Sequence, residues 1–321
     1  VRNVGGETDS VEANTGQLLD ATGKKSVVEV VKAAYAQQRL SPTSYLHFHV
    51  GARYDADPRG GARLSPRAAV ALDVWDGGVL KLIYAEAFRP PTFFEALYSS
   101  PDQIPNPSIK SEYVRGGEAT FEQRFGRNKL LFGVFRTQWS DMLSIETLAS
   151  GVSQYQNVSK IENYGYNARV EGVIGSFRYG ASIVGAHTRR AEPEEQPLPV
   201  APQLFGNARI AYALPGSLPV IALATTFVNQ RPADRFLDGN FSPAPRAPAS
   251  AELRLTVSQA LKAIPGLSYR VAGSYTTGNV VPYVAGPIQA YDPGATDRAP
   301  AELTPAIKLV TFATLRYDVD L

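Results

Sequence analysis

Three charged side chains around a proline-rich break could form the most specific interaction that this sequence offers. Arg89 precedes two consecutive prolines, and the carboxylates of Glu95 and Glu112 follow. Proline cannot donate a hydrogen bond to a sheet ladder, so a strand must stop at Arg89. We predict that Arg89 forms an ion-pair brace with Glu95 and Glu112 that holds the segment 89–111. The alternative is a set of solvated loop charges, worth about 0–1 kcal/mol.

Two histidines form the second candidate site. His47 and His49 lie two residues apart, which in a strand places both on one face, and this spacing could hold a metal ion. The sequence offers no third ligand, because the only other histidine, His187, is far away along the chain. We therefore expect two polar side chains that face a lumen rather than a metal site.

Nucleophilic catalysis would need a serine beside a histidine. Ser182 and His187 are five residues apart, which in a strand points them to opposite faces. No glycine-rich phosphate loop or metal-binding helix motif is present. The absence of cysteine excludes disulfides, zinc–thiolate sites and iron–sulfur clusters. The sequence therefore predicts no catalytic, cofactor or metal site, and a protein that is not an enzyme.

Composition narrows the function classes further. A net charge of +2 over 321 residues is too small to argue for a nucleic-acid partner. No run of 18 apolar residues occurs, which argues against a transmembrane helix but not against strands that cross a membrane. The first ten residues contain neither an initiating methionine nor the apolar core of a signal peptide. We expect the chain to begin inside a longer protein.

The elements that must position these residues read as strands. Most have about 10 to 13 residues, long enough for a tilted strand to cross a bilayer. The segment 27–39 could also be read as a helix, but the alternation of turns along the chain favours a strand. The thirteen predicted segments are 27–39, 45–55, 65–75, 79–88, 112–125, 129–139, 163–174, 178–188, 204–214, 219–230, 250–261, 267–277 and 307–319.

Apolar and polar residues alternate along several of these segments. Period two places the two kinds of side chain on opposite faces of a sheet. The predicted apolar, convex face carries Phe48, Val50, Leu253, Leu255, Tyr269 and Val271. The predicted polar, concave face carries His49, Arg53, Arg169, Glu171, Arg254 and Arg270.

Short and long connections alternate between the segments. The short turns are 41–44, 76–78, 126–128, 215–219 and 262–266, and the longer polar loops are 89–111, 140–162, 189–203, 231–249 and 278–306. This alternation is typical of an antiparallel up-and-down transmembrane β-barrel with short periplasmic turns and long extracellular loops. Residues 1–26 would be the tail of another outer loop. An odd count of thirteen predicts an incomplete barrel, because complete bacterial barrels have an even number.

The segment that holds the brace also resembles a known family. An aromatic strand ending in Ala-Phe-Arg-Pro-Pro at residues 87–91, an acidic residue at 95, and then the pattern N-P-x-x-K-x-E are similar to the TonB-dependent outer-membrane receptors. That last pattern consists of Asn106, Pro107, Lys110 and Glu112. Further matches in the same order are Gly51-Ala52-Arg53-Tyr54-Asp55, Ser65-Pro66-Arg67, Tyr155-Gln156-Asn157, Gly165 to Gly172, and Leu198-Pro199 to Pro202.

The resemblance implies both an architecture and a function. It implies that residues 1–321 are part of a receptor β-barrel domain whose N-terminal plug and first strands lie outside this sequence. The implied function is TonB-energised uptake of a scarce nutrient, such as an iron–siderophore or cobalamin, in the outer membrane of a Gram-negative bacterium. The implied partners are outer-membrane lipid, TonB acting through the plug region, and the ligand, with no nucleic acid.

Three other functions remain open from the sequence. A passive porin-like channel would differ by lacking a plug. An outer-membrane enzyme is disfavoured because no catalytic set is found. A soluble β-sandwich adhesin is disfavoured because the apolar faces have no second sheet to bury them.

Overall fold

The computed structural model describes residues 2–11, 18–192, 196–197, 201–230, 249–277 and 309–318. The chain divides into two compact units. Unit 1 comprises residues 1–122, 133–165 and 187–197, and unit 2 comprises residues 123–132, 166–186 and 198–321. In the described ranges, no helix has the length and apolar character needed to span a membrane.

Strands make up almost all of the regular structure. The single helix of the described residues, α1, spans Phe93–Leu97. The first eight strands are β1 Arg2–Val11, β2 Leu18–Glu29, β3 Lys32–Leu40, β4 Leu46–Asp57, β5 Gly61–Trp75, β6 Gly78–Arg89, β7 Glu112–Phe125 and β8 Asn128–Thr147. The remaining eight are β9 Ser153–Ile174, β10 Phe177–Glu192, β11 Gln196–Pro197, β12 Leu204–Ala213, β13 Val220–Val228, β14 Ser250–Ala260, β15 Leu267–Thr277 and β16 Leu309–Tyr317.

One sheet joins the strands from β3 to β16 in the order of the chain. Thirteen strands follow the path from β3 to β16, and the two-residue strand β11 pairs with β10 beside that path. Sequential segments joined by short turns pair as antiparallel neighbours because the turn brings them together directly. Within the described residues β3 and β16 end the order, so the sheet is not closed. The predicted all-β fold, an incomplete antiparallel barrel of about thirteen strands, is confirmed.

Glycines make the predicted tight turns possible. Gly126, Gly216 and Gly266 have φ angles of 55°, 73° and 83°, which lie in the left-handed region. A side chain at such an angle clashes with the following carbonyl group, whereas glycine has no Cβ. Each of these glycines lies in a connection that the sequence predicted to be short.

The N-terminal prediction is wrong in two respects. Residues 1–26 were expected as a loop tail, but β1 and β2 form a two-stranded antiparallel sheet of their own. The predicted strand 27–39 is divided, because β2 ends at Glu29 and β3 begins at Lys32. Backbone hydrogen bonds between β1 and β2 form whatever side chains the strands carry, so this hairpin needs no apolar alternation that the sequence could show.

The predicted loop 140–162 is also wrong. β8 continues to Thr147 and β9 begins at Ser153, which leaves a connection of only 148–152. Polar residues suggested a loop, but backbone hydrogen bonds extend a hairpin whatever the polarity of its side chains. Ile145, Tyr155 and Val158 add the β-branched and aromatic residues that favour strands.

The other long connections are partly described. β10 continues to Glu192, and β11 pairs with Arg189 and Arg190, so the predicted loop 189–203 also contains strand. The predicted outer loops 231–249 and 278–306 lie outside the described residues, except for residue 249.

The strand register in unit 2 separates apolar from charged side chains. Leu255 lies opposite Leu223 on β13, and Val257 lies opposite Val271 on β15. Arg254, one residue from Leu255, lies opposite Ser274. Because successive side chains of a strand point to opposite faces, the leucines and valines share one face and the arginine lies on the other. The predicted alternation in this part of the chain is therefore found in the sheet.

Among the described residues of unit 2, no other element covers the apolar face of the sheet. Leu255 and Val271 are 51% and 50% exposed, although both lie in the middle of a strand. Further exposed apolar residues are Ile210, Ile221, Leu223, Leu253, Tyr275 and Leu315. Large contiguous apolar surfaces are rare on soluble monomers and indicate contact with a partner or a membrane.

Candidate functional site

The guanidinium group of Arg89 contacts two carboxylates. Its Nη1 and Nη2 donate to Oε2 and Oε1 of Glu95 at 2.9 and 3.0 Å, and its Nε donates to Oε2 of Glu112 at 2.6 Å. The pair with Glu95 is bidentate, the geometry in which arginine binds carboxylate most strongly. Arg89 ends β6 and Glu112 begins β7, so these contacts link the two ends of the segment 89–111.

A short helix positions Glu95. Thr92 precedes α1, and its hydroxyl accepts a hydrogen bond from the Glu95 backbone N–H at 3.1 Å. The Glu95 carboxylate accepts in turn from the Thr92 backbone N–H at 2.7 Å. This reciprocal pair is a capping box, which satisfies two backbone donors that a helix start leaves open. The T-x-x-E pattern at 92–95 is a sequence signature of such a cap, and the sequence reading missed it.

The contacts shift the pKa values of Glu95 and Arg89. Burial by itself would raise the pKa of Glu95, but hydrogen bonds from Arg89 and Thr92 outweigh it, so the pKa lies below its ordinary value of 4.5. Hydrogen bonds to Glu112, and then to Glu95, raise the pKa of Arg89 above its ordinary value. Both effects favour the charged forms of Arg89 and Glu95, the state in which this pair is strongest.

Glu112 also extends the contacts to a third strand. Its Oε1 accepts a hydrogen bond from the backbone N–H of Leu143 on β8 at 2.8 Å. Both carboxylate oxygens of Glu112 are therefore occupied, one by Arg89 and one by the backbone of β8. The side chain of Glu112 is 18% exposed, so solvent weakens these contacts less than it would weaken those of a fully exposed pair.

Two asparagines hold the rest of the segment 89–111 against β9. Asn106 donates through Nδ2 to the carbonyl of Tyr155 at 2.8 Å. Asn157 accepts from the backbone N–H of Lys110 at 2.8 Å and donates to the carbonyls of Lys110 and Asp141 at 3.0 and 2.7 Å. Asn106 and Asn157 belong to motifs that the sequence singled out, but Tyr155 lies 49 residues from Asn106 and Lys110 lies 47 residues from Asn157.

The floor of this segment is closely packed. Pro91 and Ser111 are almost completely buried, and Ser111 donates through its hydroxyl to the carbonyl of Gly60 at 3.0 Å. A Cβ at Gly60 would lie 2.3 Å from the Ser111 hydroxyl. The turn between β4 and β5 can therefore approach the segment this closely only with glycine at residue 60.

Three aromatic rings contact one another at α1 and the start of β9. The ring centroids of Phe94 and Tyr98 are 4.2 Å apart in a stacked arrangement, and Tyr155 meets Phe94 edge-on at 6.1 Å. Phe94 remains 46% exposed. Aromatic groups held at a fixed angle and open to solvent offer an apolar contact surface at low entropic cost.

The two strand histidines are not part of a metal site in the described residues. His47 Nδ1 lies 2.9 Å from the hydroxyl of Ser41, and its Nε2 lies 3.6 Å from Asp73. No group of three or more His, Cys, Asp or Glu side chains is placed to hold a metal ion in the ranges that the structure describes. The side chains of His47 and Asp73 are 42% and 47% exposed, so this pair is open to water.

Ser182 and His187 have separate partners. Ser182 accepts a hydrogen bond from Asn207 at 2.9 Å, whereas the ring of His187 lies 5.1 Å from that of Tyr164. These contacts give neither residue the hydrogen-bonded partner that a nucleophile and its base require.

A charge cluster around Glu162 was not anticipated from the sequence. Its carboxylate lies 3.0 Å from Arg189, 3.5 Å from Arg136 and 4.0 Å from Lys160. Gln138 donates to the same carboxylate at 3.3 Å. These residues come from three strands, and their spacing along the chain carries no pattern that would reveal the cluster.

Three solved structures with a similar fold are those of two siderophore receptors and an iron transporter. The siderophore receptor PirA from Acinetobacter baumannii matches with a TM-score of 0.67 and 16% identity, over 83% of this chain and 44% of the receptor. A mutant of the ferric enterobactin receptor PfeA from Pseudomonas aeruginosa matches with a TM-score of 0.64 and 14% identity, over 83% and 41%. The iron transporter FrpB from Neisseria meningitidis gives 0.64 and 14%, over 78% and 41%.

The chain spans less than half the length of these three proteins. At identities of this size the similarity shows the fold alone. No curated protein matches the chain in sequence. The model of the family described as "TonB dependent receptor-like, beta-barrel" does match, over residues 3–281. Because that match covers most of the chain, the protein belongs to the TonB-dependent receptor-like β-barrel family.

Proposed function

We propose that this chain forms part of the barrel of an outer-membrane receptor that takes up a scarce nutrient, such as an iron–siderophore or cobalamin, with energy relayed by TonB. TonB-dependent receptor barrels are outer-membrane proteins of Gram-negative bacteria, and the three structural relatives are receptors or transporters. In this proposal residues 1–321 belong to one barrel domain, and the plug and the TonB contact belong to other parts of the receptor. The chain performs no covalent chemistry.

The observation that carries the proposal is the uncovered apolar face of a single antiparallel sheet. In water such a face would be unstable, because each large apolar side chain loses about 1.5–3 kcal/mol when it is left exposed. Lipid hydrocarbon chains can cover this face without a second protein layer, and a β-sheet keeps its backbone groups hydrogen-bonded within the lipid. The location of this chain in an outer membrane is therefore the simplest account of Leu255 and Val271 at about half exposure.

In this proposal the segment 89–111 is a rigid platform at the extracellular mouth. The Arg89 brace and the two asparagines hold its ends, so the aromatic group of Phe94, Tyr98 and Tyr155 keeps one geometry. A preorganised surface binds a ligand with a smaller loss of conformational entropy than a mobile loop. We propose support of this platform, rather than direct ligand contact, as the role of Arg89, Glu95 and Glu112.

A passive porin-like channel is the second candidate function. It fits the same sheet and the same apolar face, and it differs in needing neither a plug nor TonB. The polar face of unit 2 carries arginines that could line such a channel, including Arg209 and Arg254. Uptake by the receptor should require TonB and the proton-motive force, whereas passage through the channel should require neither.

The test uses the full-length protein in its own bacterium. Radiolabelled ferric siderophores and cobalamin are supplied to cells with and without the gene, under iron or cobalamin limitation. Uptake that requires the gene, and that stops when TonB is deleted or the proton-motive force is dissipated, supports the receptor. Purified protein that makes liposomes permeable to small sugars without TonB supports the channel instead and overturns the receptor proposal.

A further inference from the structure

Four polar side chains form a row across unit 1. Arg115 on β7 donates through Nε to the amide oxygen of Gln138 on β8 at 2.7 Å. Gln138 donates to the carboxylate of Glu162 on β9 at 3.3 Å, and Arg189 on β10 donates to the same carboxylate at 3.0 Å. Side chains of neighbouring strands can reach one another in this way only from the same face. The polar row therefore lies on one face of the sheet, at one height.

This face is the apolar face of unit 1. Val134 lies four residues before the β8 member of the polar row, so it shares that face, and it is 45% exposed. The opposite face carries Lys81, which donates to Glu122 at 3.2 Å. Glu122 is an odd number of residues from Arg115, and Leu82 directly follows Lys81. Leu82, which is 46% exposed, therefore lies on the same face as Arg115 and Val134.

An aromatic residue and a further cation lie between the apolar residues and the polar row. Tyr164 follows Glu162 by two residues on β9 and is 44% exposed, and its ring lies 5.1 Å from that of His187. On β8, Arg136 lies midway between Val134 and the polar row, on the same face. At a membrane surface aromatic rings lie at the level of the headgroups, and the long stems of cationic side chains reach into the polar layer. The order of side chains along β8 and β9 is typical of such an interface.

Arg115 and Arg136 present N–H donors on this face. The side chain of Arg136 is 69% exposed, and its Nη2 lies 3.5 Å from Glu162, a weaker contact than the 3.0 Å that Arg189 makes with the same carboxylate. Arg115 is exposed as well, and its Nε contacts the neutral amide of Gln138. A guanidinium group carries several N–H donors, and these contacts leave some of them on each arginine for another acceptor.

We infer that Arg115 and Arg136 bind the phosphate groups of lipids in the outer leaflet of the membrane. The inference rests on the outer-membrane location proposed above. Arg115 lies three residues from Glu112, at the end of β7 next to the segment 89–111, which that proposal places at the extracellular mouth. Arginine forms paired N–H···O bonds with phosphate, and a cation beside the apolar layer meets the headgroups of the lipids whose chains cover that layer.

The test measures the lipids that the full-length protein retains in non-ionic detergent, by native mass spectrometry. The two probes are lipid A, a phosphorylated glycolipid, and its dephosphorylated form, which has the same acyl chains. The variant Arg115→Gln with Arg136→Gln removes both guanidinium groups. The matched control, Arg39→Gln with Arg67→Gln, removes two exposed arginines from the opposite face of unit 1, since Arg67 is three residues from Val70 and Arg39 pairs with His49. Heat-modifiable migration on gels checks that each variant folds.

We expect the unchanged protein to bind lipid A about ten-fold more tightly than the dephosphorylated form, because two arginines at the surface contact phosphate. The variant Arg115→Gln with Arg136→Gln should lose this preference, and the control should keep it. Arg136→Gln alone changes a side chain that is 69% exposed, so it should fold even where the double variant does not, and it should lose part of the preference.

Three results would overturn the inference. The first is equal retention of the two lipids by the unchanged protein, and the second is an equal loss in the variant and the control. The third is displacement of lipid A by inorganic phosphate at an equal concentration, which would assign the arginines to a free anion instead of a lipid. Selective retention of lipid A by a protein that takes up no nutrient would support the inference and refute the transport role alone.

Discussion

Lysine substitutions down β14 test directly whether the apolar face of unit 2 meets hydrocarbon. β14 spans Ser250–Ala260, so Leu255 is its middle residue, and it lies beside Leu223 on the neighbouring strand. A lysine at this position would place its ammonium group in the apolar layer. We expect Leu255→Lys to lower the free energy of unfolding by about 2–4 kcal/mol, the cost of lysine near the midplane of a bilayer.

The cost should fall with distance from Leu255. A strand rises about 3.4 Å per residue and is tilted by about 40°, so each residue adds about 2.6 Å of height. Leu253 and Val257 then lie about 5 Å from the midplane, and Ala251 and Gln259 about 10 Å from it. Lysine should cost progressively less at 253 and 257, and about 0–1 kcal/mol at 251 and 259, where it can reach the interface.

The control adds the same charge to the opposite face. Thr226 on β13 is exposed and lies opposite Glu252, so Thr226→Lys gains a nearby carboxylate and should cost little. Thr256 and Ala272 are less suitable controls, because the structure buries both.

The measurement is folding of the full-length protein into liposomes, followed by a denaturant titration of each variant. A flat profile along β14, or an equal cost for Thr226→Lys, would refute a hydrocarbon-facing surface.

Two further predictions concern the segment 89–111. Arg89→Met removes the cation shared by Glu95 and Glu112, so native-state hydrogen exchange should show that the free energy of opening α1 falls by about 1–3 kcal/mol. The control Lys110→Met removes an exposed charge from the same segment and should leave the opening of α1 unchanged. Equal effects of the two variants would contradict the brace. Because the pKa of Glu95 is lowered on folding, its stabilising effect should be complete above its ordinary value of 4.5 and should disappear as the pH falls through the lower, folded-state pKa. Protection of α1, corrected for the intrinsic exchange rate, should follow that titration in the unchanged protein, and a pH-independent protection would show that Glu95 does not hold the helix.

Local patterns in the sequence were sufficient for the architecture. Alternation along 250–261 and 267–277 predicts two strands with one apolar face, and the structure places β14 and β15 within a residue of those bounds. This succeeds because a strand and its faces depend on residues two apart, which lie together in the sequence. The prediction failed at 1–26 and 140–162, where polar residues suggested loops but backbone pairing forms strands.

The contacts of the candidate site could be predicted from the sequence only in part. Arg89, Glu95 and Glu112 stood out in the sequence because they flank a proline break, and the structure brings all three into contact. The capping box at Thr92 was also within reach of a sequence reading, because its two partners are three residues apart. The contact of Asn157 with Lys110 could not be predicted from the sequence, because Lys110 lies 47 residues away along the chain.

The amino-acid sequence by itself indicated the thirteen strands of the main sheet, the two faces of β14 and β15, and the family. Only the tertiary structure decided which charges meet. The cluster around Glu162 draws Arg136 from β8, Lys160 from β9 and Arg189 from β10, and no motif joins them. Their proximity depends on the register of two successive strand pairs, β8 with β9 and β9 with β10. Turn geometry and the pairing of whole strands set that register, and the spacing of these residues along the chain does not reveal it.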